Sequence, residues 1–229
     1  MKPPITDVFF DLDHTLWDFE KNSALTFAKI LNKNKVPVDY SKFIENYVPI
    51  NHQYWELFRE EKISKEELRF GRLQKTFELL EVSIEQSLIE ILSEEYLAFL
   101  PENNHLFEGT LELLEYLQPK YNLHIITNGF QDVQYRKIKN ANLIPFFKTI
   151  TNSESTGVKK PNPMIFEFAL RQAQTTKEQS IMIGDCIDAD VKGALNFGMD
   201  AILFSQNSND TVDENIKKIQ HLLDLKSYL

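Results

Sequence analysis

The stretch T-D-V-F-F-D-L-D-H-T, residues 6–15, decides how this chain folds. Its apolar run Val8-Phe9-Phe10 predicts a short buried strand, because turn-forming polar residues follow it directly. Asp11 and Asp13 then leave the carboxyl end of that strand, which is where open α/β sheets bind their ligands. The stretch therefore predicts an α/β fold with a polar site at the end of its first strand.

Two carboxylates one residue apart also predict a metal. They repel each other unless a positive charge lies between them. Mg²⁺ meets this need, since it takes oxygen ligands and keeps positions open for water or phosphate. An Asp-x-Asp pair is also common where a strand simply ends in a turn, so the prediction depends on what the rest of the chain supplies.

Composition narrows the class of protein. The chain has 229 residues, of which 42% are hydrophobic, and a formal net charge of −9. This charge argues against a nucleic-acid polymer as partner but not against a small phosphorylated ligand. The single cysteine, Cys186, excludes an internal disulfide and a thiolate zinc cluster. We expect a cytoplasmic protein, monomeric or dimeric, with no membrane span.

Residues 19–99 predict a block of helices. Apolar residues recur there at spacings of three and four, in four successive segments. Ser64 with Glu67 is typical of a capping box at the third helix, and Ser83 with Gln86 of a weaker one at the fourth. We predict a helical domain at residues 17–100, inserted into a core made of residues 1–16 and 101–229.

The remainder alternates between helix and strand. Five predicted strands with helices between them imply a parallel sheet covered by helices. After the first strand, the predicted strands are Leu123–Ile126, Thr149–Thr151, Ile181–Ile183 and Ala201–Phe204. The predicted helices are Gly109–Leu117, Asp132–Ala141, Pro163–Gln172, Asp188–Phe197 and Asp213–Leu225.

Four polar segments fall at strand ends or in the loops that follow. They are Asp11–Thr15, Thr127–Gly129, Lys159–Pro161 and Gly184–Asp190. This order resembles the haloacid dehalogenase superfamily of phosphohydrolases, and the helical block matches that family's cap. The resemblance covers nearly the whole chain. It implies a Rossmann-like core with sheet order 3-2-1-4-5 and the Asp11 strand in the centre.

The resemblance assigns chemistry to the first segment. Asp11 would be the nucleophile that forms an aspartyl phosphate. Asp13 would act as general acid and then general base, and its backbone carbonyl would bind the metal. In the dehalogenase branch of the family this second position is not an aspartate, so Asp13 favours phosphate esters over haloacids.

It also assigns the phosphate-binding residues. Thr127 would hydrogen-bond a phosphoryl oxygen, with help from the backbone near Asn128. Lys160, directly before the proline, would neutralise negative charge, whereas Lys159 fits an ordinary surface lysine.

The fourth segment completes the expected metal site. Asp185 would bind Mg²⁺ together with Asp11 and Asp13. Asp190 would act through water or by holding Lys160, and Asp188 fits a helix N-cap better than a metal contact.

The substrate is suggested by weaker similarity. Segments 70–72, 127–130 and 157–162 resemble the pyrimidine 5′-nucleotidases of the superfamily, which favours nucleoside monophosphates. Trp17, Trp55 and Arg72, together with Arg69, are candidate substrate contacts, although such tryptophans are commonly core residues and such arginines commonly solvated.

Three other functions stay open at this point. One is a phosphatase for phosphoglycolate or a sugar phosphate, and another is a mutase similar to the β-phosphoglucomutases. The third, from a different class, is a non-catalytic module that binds a phosphorylated ligand. The third conflicts with the presence of both Asp11 and Asp13.

Overall fold

The computed structural model describes residues 3–207 and 213–229. The chain forms two compact units, one made of Met1–Phe19 with Asn104–Leu229 and the other of Glu20–Asn103. The boundaries predicted from the sequence lie three residues before these. We call the first the core unit and the second the helical unit.

The core unit is built on a parallel sheet. Over the described residues its order is β3-β2-β1-β4-β5-β6, and every pairing is parallel. The predicted order 3-2-1-4-5 is therefore confirmed, with one strand added at the edge. The strands are β1 Asp7–Phe10, β2 Asn122–Thr127, β3 Phe147–Asn152, β4 Ser180–Gly184, β5 Asp200–Phe204 and β6 Lys217–Ile219.

The register of the three central strands brings the polar segments together. Phe10, the last residue of β1, pairs with Ile125 of β2 and with Ile183 of β4. Asp11 therefore leaves the sheet beside the ends of both neighbours, where Thr127 and Asp185 follow. All four residues of β1 are buried, as expected for a strand that helices cover on both faces.

Helices connect these strands. Their bounds are α5 Thr110–Leu117, α6 Gln131–Asn140, α7 Ser153–Thr156, α8 Pro163–Ala173 and α9 Gly193–Phe197. Phe166 of α8 packs in one buried cluster with Phe9, Ile126 and Met182 of the central strands, which fixes α8 against the sheet.

The segment predicted as one helix, Asp188–Phe197, has two parts. A wider π-type turn covers Ile187–Lys192, and α9 follows directly. Gly198 ends α9 with a φ of 91°, a left-handed conformation that glycine adopts without strain. Extra residues in a turn of this kind are frequent at functional sites.

The predicted last helix, Asp213–Leu225, is wrong. The structure has strand β6 at Lys217–Ile219 and a short 3₁₀ segment at Leu222–Ser227. Ile219 and Leu225 are buried at the edge of the sheet. The apolar residues of this segment are therefore core residues, but they belong to a strand and a 3₁₀ turn and not to an α-helix. Residues 208–212 lie outside the described residues.

The helical unit contains α1 Phe19–Lys33, α2 Tyr40–Arg59, α3 Lys65–Leu79 and α4 Gln86–Phe99. Its core is aromatic, and the rings of Phe27, Phe43, Tyr47 and Tyr96 pack within 4.4–6.3 Å of one another. The capping box at Ser64 is confirmed. The one at Ser83 is wrong, because α4 begins after Glu85 without a side-chain cap. Over the described residues, no helix is both long and apolar enough to span a membrane.

Candidate active site

Carboxylates and one lysine meet at the carboxyl end of the central strands. Lys160 Nζ lies 2.5 Å from Asp11 Oδ1 and 2.6 Å from Asp190 Oδ1, and it donates to the carbonyl of Ile126 at 2.6 Å. Lys160 and Asp190 are each only 1% exposed. A lysine so deeply buried needs paired negative charge, which these two aspartates supply.

Asn128 fixes the backbone of Lys160. Its Oδ1 accepts from the Lys160 amide at 2.8 Å, and its Nδ2 donates to the Lys160 carbonyl at 3.0 Å. The sequence predicts that the backbone near Asn128 helps to bind phosphate, and both ends of the Asn128 side chain contact Lys160. Asn128 thus connects the second polar segment to the third.

Burial and like charge shift the acid–base properties of this cluster. Burial raises the pKa of Asp11 well above its ordinary value, against the opposing effect of Lys160. Burial, together with the nearby charge of Asp190, raises the pKa of Asp185 to about 7. Burial alone would lower the pKa of Lys160, but Asp11 and Asp190 outweigh it and raise that pKa. One ammonium group thus faces three carboxyl groups, and the raised pKa values of Asp11 and Asp185 indicate that it does not fully offset their burial and like charge.

Asp190 reaches Lys160 through a space that glycine provides. A β-carbon on Gly184 would overlap the carboxylate of Asp190. The second oxygen of Asp190 accepts from the Cys186 amide at 3.0 Å, which fixes the carboxylate in place. Asp188, in contrast, is exposed and pairs with Lys192 at 2.8 Å, so it lies outside the site. The prediction that Asp188 is the N-cap is wrong, because Cys186 occupies that position and Asp188 lies within the turn.

A second set of contacts surrounds Asp13. Lys137 Nζ lies 2.7 and 3.0 Å from its two carboxylate oxygens. Gln134 Nε2 donates to Asp13 Oδ2 at 3.0 Å and to Thr127 Oγ1 at 2.7 Å. The Thr127 oxygen also accepts from the Gly129 amide at 3.2 Å. With its lone pairs used by these donors, the Thr127 hydroxyl has its own proton left to donate.

The residues present fit a hard divalent cation. Carboxylate oxygens of Asp11, Asp185 and Asp190 lie within 4.8 Å of one another. Asp185 accepts one hydrogen bond from Thr15, at 3.3 Å. Asp190 already uses one oxygen for Lys160 and the other for the Cys186 amide, so it suits a supporting position better than a ligand position. An all-oxygen donor set with excess negative charge suits Mg²⁺.

The predicted substrate contacts are buried or half-buried, each within its own unit. The sequence predicts Trp17 as a contact, but its ring is fully buried, and Lys137 Nζ lies 4.3 Å from the ring centroid. Arg72 is 3% exposed inside the helical unit, where Nη1 donates to Asn51 Oδ1 at 2.6 Å. Trp55 is half-buried in the same unit and meets the Phe58 ring edge-on.

Sequence reasoning does not find Gln134 and Lys137. The segment that became α6 carries many polar residues, and such a segment is usually a solvated helix. The sequence nevertheless contains a pattern that indicates buried polar residues in this helix. Val133, Gln134, Lys137 and Ile138 share one helical face, and that face is buried. A glutamine and a lysine between two apolar residues on a buried face point to partners within the core.

Comparison with known proteins identifies the family. The profile of haloacid dehalogenase-like hydrolases matches residues 8–204, and the chain belongs to that family. Pyrimidine 5′-nucleotidase PynA of Streptococcus pneumoniae is 32% identical over 203 residues, which cover 86% of this chain and 83% of that protein. Glyceraldehyde 3-phosphate phosphatase of Methanothermobacter thermautotrophicus is 30% identical over 217 residues, covering 92% and 90%.

A solved structure agrees over the full length. The crystal structure of Bacillus subtilis YfnB bound to magnesium superposes with a TM-score of 0.89 at 28% identity, and it covers 99% of each chain. The chain is therefore a haloacid dehalogenase-type hydrolase in both sequence and fold.

Proposed function

We propose that this hydrolase cleaves phosphate monoesters through an aspartyl phosphate on Asp11. One observation carries the proposal. The buried carboxylate of Asp11 is bound to Lys160, and a second carboxylate, Asp13, follows two residues later with its own cationic partner. The pair supplies a nucleophile and a separate proton carrier, which hydrolysis of an ester in two displacements requires.

The first displacement transfers the phosphoryl group to the enzyme. A carboxylate oxygen of Asp11 attacks phosphorus, the ester P–O bond breaks, and Asp13 gives its proton to the leaving oxygen. Lys160 offsets negative charge on Asp11 and on the phosphoryl oxygens. The Thr127 hydroxyl donates its proton to one of those oxygens, since other donors already occupy its lone pairs.

The second displacement restores the enzyme. Asp13, now a carboxylate, takes a proton from water, and the water oxygen attacks phosphorus. The bond between Asp11 and phosphorus breaks, which releases inorganic phosphate and leaves Asp11 ionised and Asp13 protonated. Atoms and protons balance over the two steps.

Mg²⁺ fits the oxygen donors of Asp11 and Asp185 and the backbone carbonyl of Asp13. When bound, it supplies positive charge that offsets repulsion between the carboxylates and the incoming phosphate. Asp190 keeps Lys160 oriented through its ion pair at 2.6 Å.

We further propose pyrimidine nucleoside 5′-monophosphates as substrates. Support comes from the segments at 70–72, 127–130 and 157–162, and from the 32% identity with PynA. The 30% identity with a glyceraldehyde 3-phosphate phosphatase favours a second candidate, a phosphatase for small sugar or triose phosphates.

Phosphate release from a panel of monoesters separates the two candidates. We would assay UMP, dUMP, dTMP and CMP beside AMP and GMP, then glyceraldehyde 3-phosphate, phosphoglycolate and hexose phosphates, all with Mg²⁺. A kcat/KM at least about tenfold higher for pyrimidine nucleotides than for purine nucleotides and triose phosphates supports the nucleotidase. Preference for triose or hexose phosphates leaves the chemistry in place and overturns the nucleotide assignment. Turnover of no monoester overturns the whole proposal.

A further inference from the structure

Two buried polar side chains of α6 have no assigned part in the chemistry. Gln134 is 1% exposed and Lys137 is 2% exposed, and both contact Asp13. Burying a lysine or an amide is costly unless its partners require it. Their position therefore calls for an explanation beyond packing.

Lys137 is held with little freedom. Its ammonium contacts both oxygens of Asp13 and lies over two aromatic rings, 4.3 Å from the Trp17 centroid and 5.2 Å from the Phe19 centroid. Ring faces attract a cation and limit the directions it can take. Lys137 thus binds both carboxylate oxygens of Asp13, and its contacts restrict the motion of its side chain.

Gln134 joins Asp13 to the phosphate-binding residue. One nitrogen, Nε2, donates both to Asp13 Oδ2 and to Thr127 Oγ1. When Asp13 is ionised, the opposite amide orientation would point an oxygen at its carboxylate, which repels it, so the contacts fix the orientation in that state. Within the described residues, Oε1 of Gln134 is buried and has no hydrogen-bond partner. That loss is tolerated when the donor end has a specific task.

Gly129 makes room for this arrangement. A β-carbon there would overlap the side chain of Gln134. The Thr-Asn-Gly segment therefore contributes three separate things: the Thr127 hydroxyl, the Asn128 contacts to Lys160 and the space that Gln134 fills.

We propose that Gln134 and Lys137 are positioning residues that aim the Asp13 carboxyl at the leaving oxygen. This rests on the proposed function of Asp13 as the proton carrier. The two side chains act through Asp13 and do not contact the reacting atoms. Their removal weakens proton transfer while leaving the attack by Asp11 in place.

Two aryl phosphates of nearly equal shape test the proposal. Phenyl phosphate has a basic leaving group that needs a proton, whereas 4-nitrophenyl phosphate has a stable leaving anion that does not. Because kcat/KM reports on steps up to release of the leaving group, the ratio of the two values measures the proton transfer. Lys137→Met keeps the apolar stem, and Lys139→Met on the exposed face of α6 is the matched control.

We expect Lys137→Met to lower kcat/KM by about 10- to 100-fold for phenyl phosphate and by no more than about threefold for 4-nitrophenyl phosphate. Lys139→Met should leave both values unchanged. In an Asp13→Asn background, Lys137→Met should cause no further loss, since it acts through Asp13. Equal losses on both esters, no loss on either, or an additional loss in that background would overturn the proposal.

A second variant covers a failure of Lys137→Met to fold, as judged by circular dichroism. Gln134→Leu removes the shared donor while keeping most of the volume. Its lost contact to Thr127 affects both esters, so we expect a loss on each that is larger for phenyl phosphate than for 4-nitrophenyl phosphate. Equal losses on the two esters in that variant would also overturn the proposal. If the wild-type protein cleaves neither ester, the proposed phosphatase function itself fails. That result can be told apart from the variant results, all of which require an active wild-type protein.

Discussion

Gly184 leaves open the space that the carboxylate of Asp190 occupies. A β-carbon on this glycine would overlap that carboxylate, and Asp190 holds Lys160 at 2.6 Å. A glycine at the end of β4 thereby controls the position of a lysine that arrives from another loop. The lack of a side chain at Gly184 is therefore part of the geometry of the candidate active site.

Gly184→Ala should therefore damage catalysis in a protein that still folds. We expect kcat to fall by about 10-fold or more, because Asp190 must move away from Lys160, and the free energy of unfolding to fall by about 1–3 kcal/mol. Steady-state kinetics and urea unfolding measure the two effects. Gly157→Ala is the matched control, since nothing lies within 4 Å of its β-carbon, although its φ of 73° also strains an alanine. Equal activity losses in both variants would contradict the assignment.

Asp11→Asn should remove turnover and keep the fold. The change is nearly isosteric and deletes the charge that attacks phosphorus, so we expect kcat to fall by at least about 10⁴-fold. Circular dichroism and the thermal midpoint check that the protein is folded. Residual activity above a trace in a folded variant would mean that another group is the nucleophile.

Removal of divalent metal should stop turnover without unfolding the protein. The oxygen donors of Asp11 and Asp185 fit Mg²⁺, but the sheet and its buried cluster do not depend on them for packing. We expect no detectable phosphate release after treatment with a chelator and full recovery on adding Mg²⁺. Loss of the circular dichroism signal on chelation would indicate a structural ion instead.

A buried pair at the other end of the sheet should contribute a loss of stability in mild acid, opposite in sign to the contribution of Asp11 and Asp185, whose pKa values are raised. His124 Nε2 lies 3.0 Å from Asp7 Oδ1, and its Nδ1 lies 2.8 Å from Thr149 Oγ1. The neutral ring fits both contacts, donating to the carboxylate and accepting from the hydroxyl. Burial lowers the pKa of His124 below 6.5, although Asp7 opposes the shift.

The direction follows from proton binding. Below about pH 6.5, His124 binds a proton in the unfolded chain but stays neutral in the folded protein. The contribution of His124 to the free energy of unfolding therefore decreases as pH falls. The pKa of Asp7 is also lowered, since its hydrogen bonds outweigh the opposing effect of burial, and that contribution is lost at still lower pH. In denaturant unfolding, the change in the free energy of unfolding from pH 7.5 to pH 5.5 should be more favourable to the folded state in His124→Gln than in the wild-type protein. The exposed His105→Gln is the control, and an unchanged difference in His124→Gln would refute the prediction.

Local rules predict the strand ends and the convergence of the four polar segments, whereas the strand order follows from the resemblance to the family. An apolar run followed by aspartates marks a strand end, and parallel strands share one edge. Those rules do not reach β6, whose three residues Lys217–Ile219 carry no strand signal and pair with β5 only through tertiary packing. Sequence reasoning does not predict the roles of Gln134 and Lys137 for a similar reason, since their burial depends on a partner, Asp13, that is distant in the chain.

The register of β1 also dictates when the catalytic groups can first exist together. Asp7 pairs with Asn122 on one side and with Ser180 on the other, so the first strand made has neighbours that are made late. During synthesis, which delivers the N-terminus first, a nascent chain carries Asp11 and Asp13 long before it holds Lys160, Asp185 or Asp190. The helices of residues 20–103 make local contacts and can form early. The sheet can form only after strands that are distant in the chain have been synthesised. A ribosome-bound fragment that ends before Asp190 is therefore expected to be inert, because it lacks the carboxylate that pairs with Lys160.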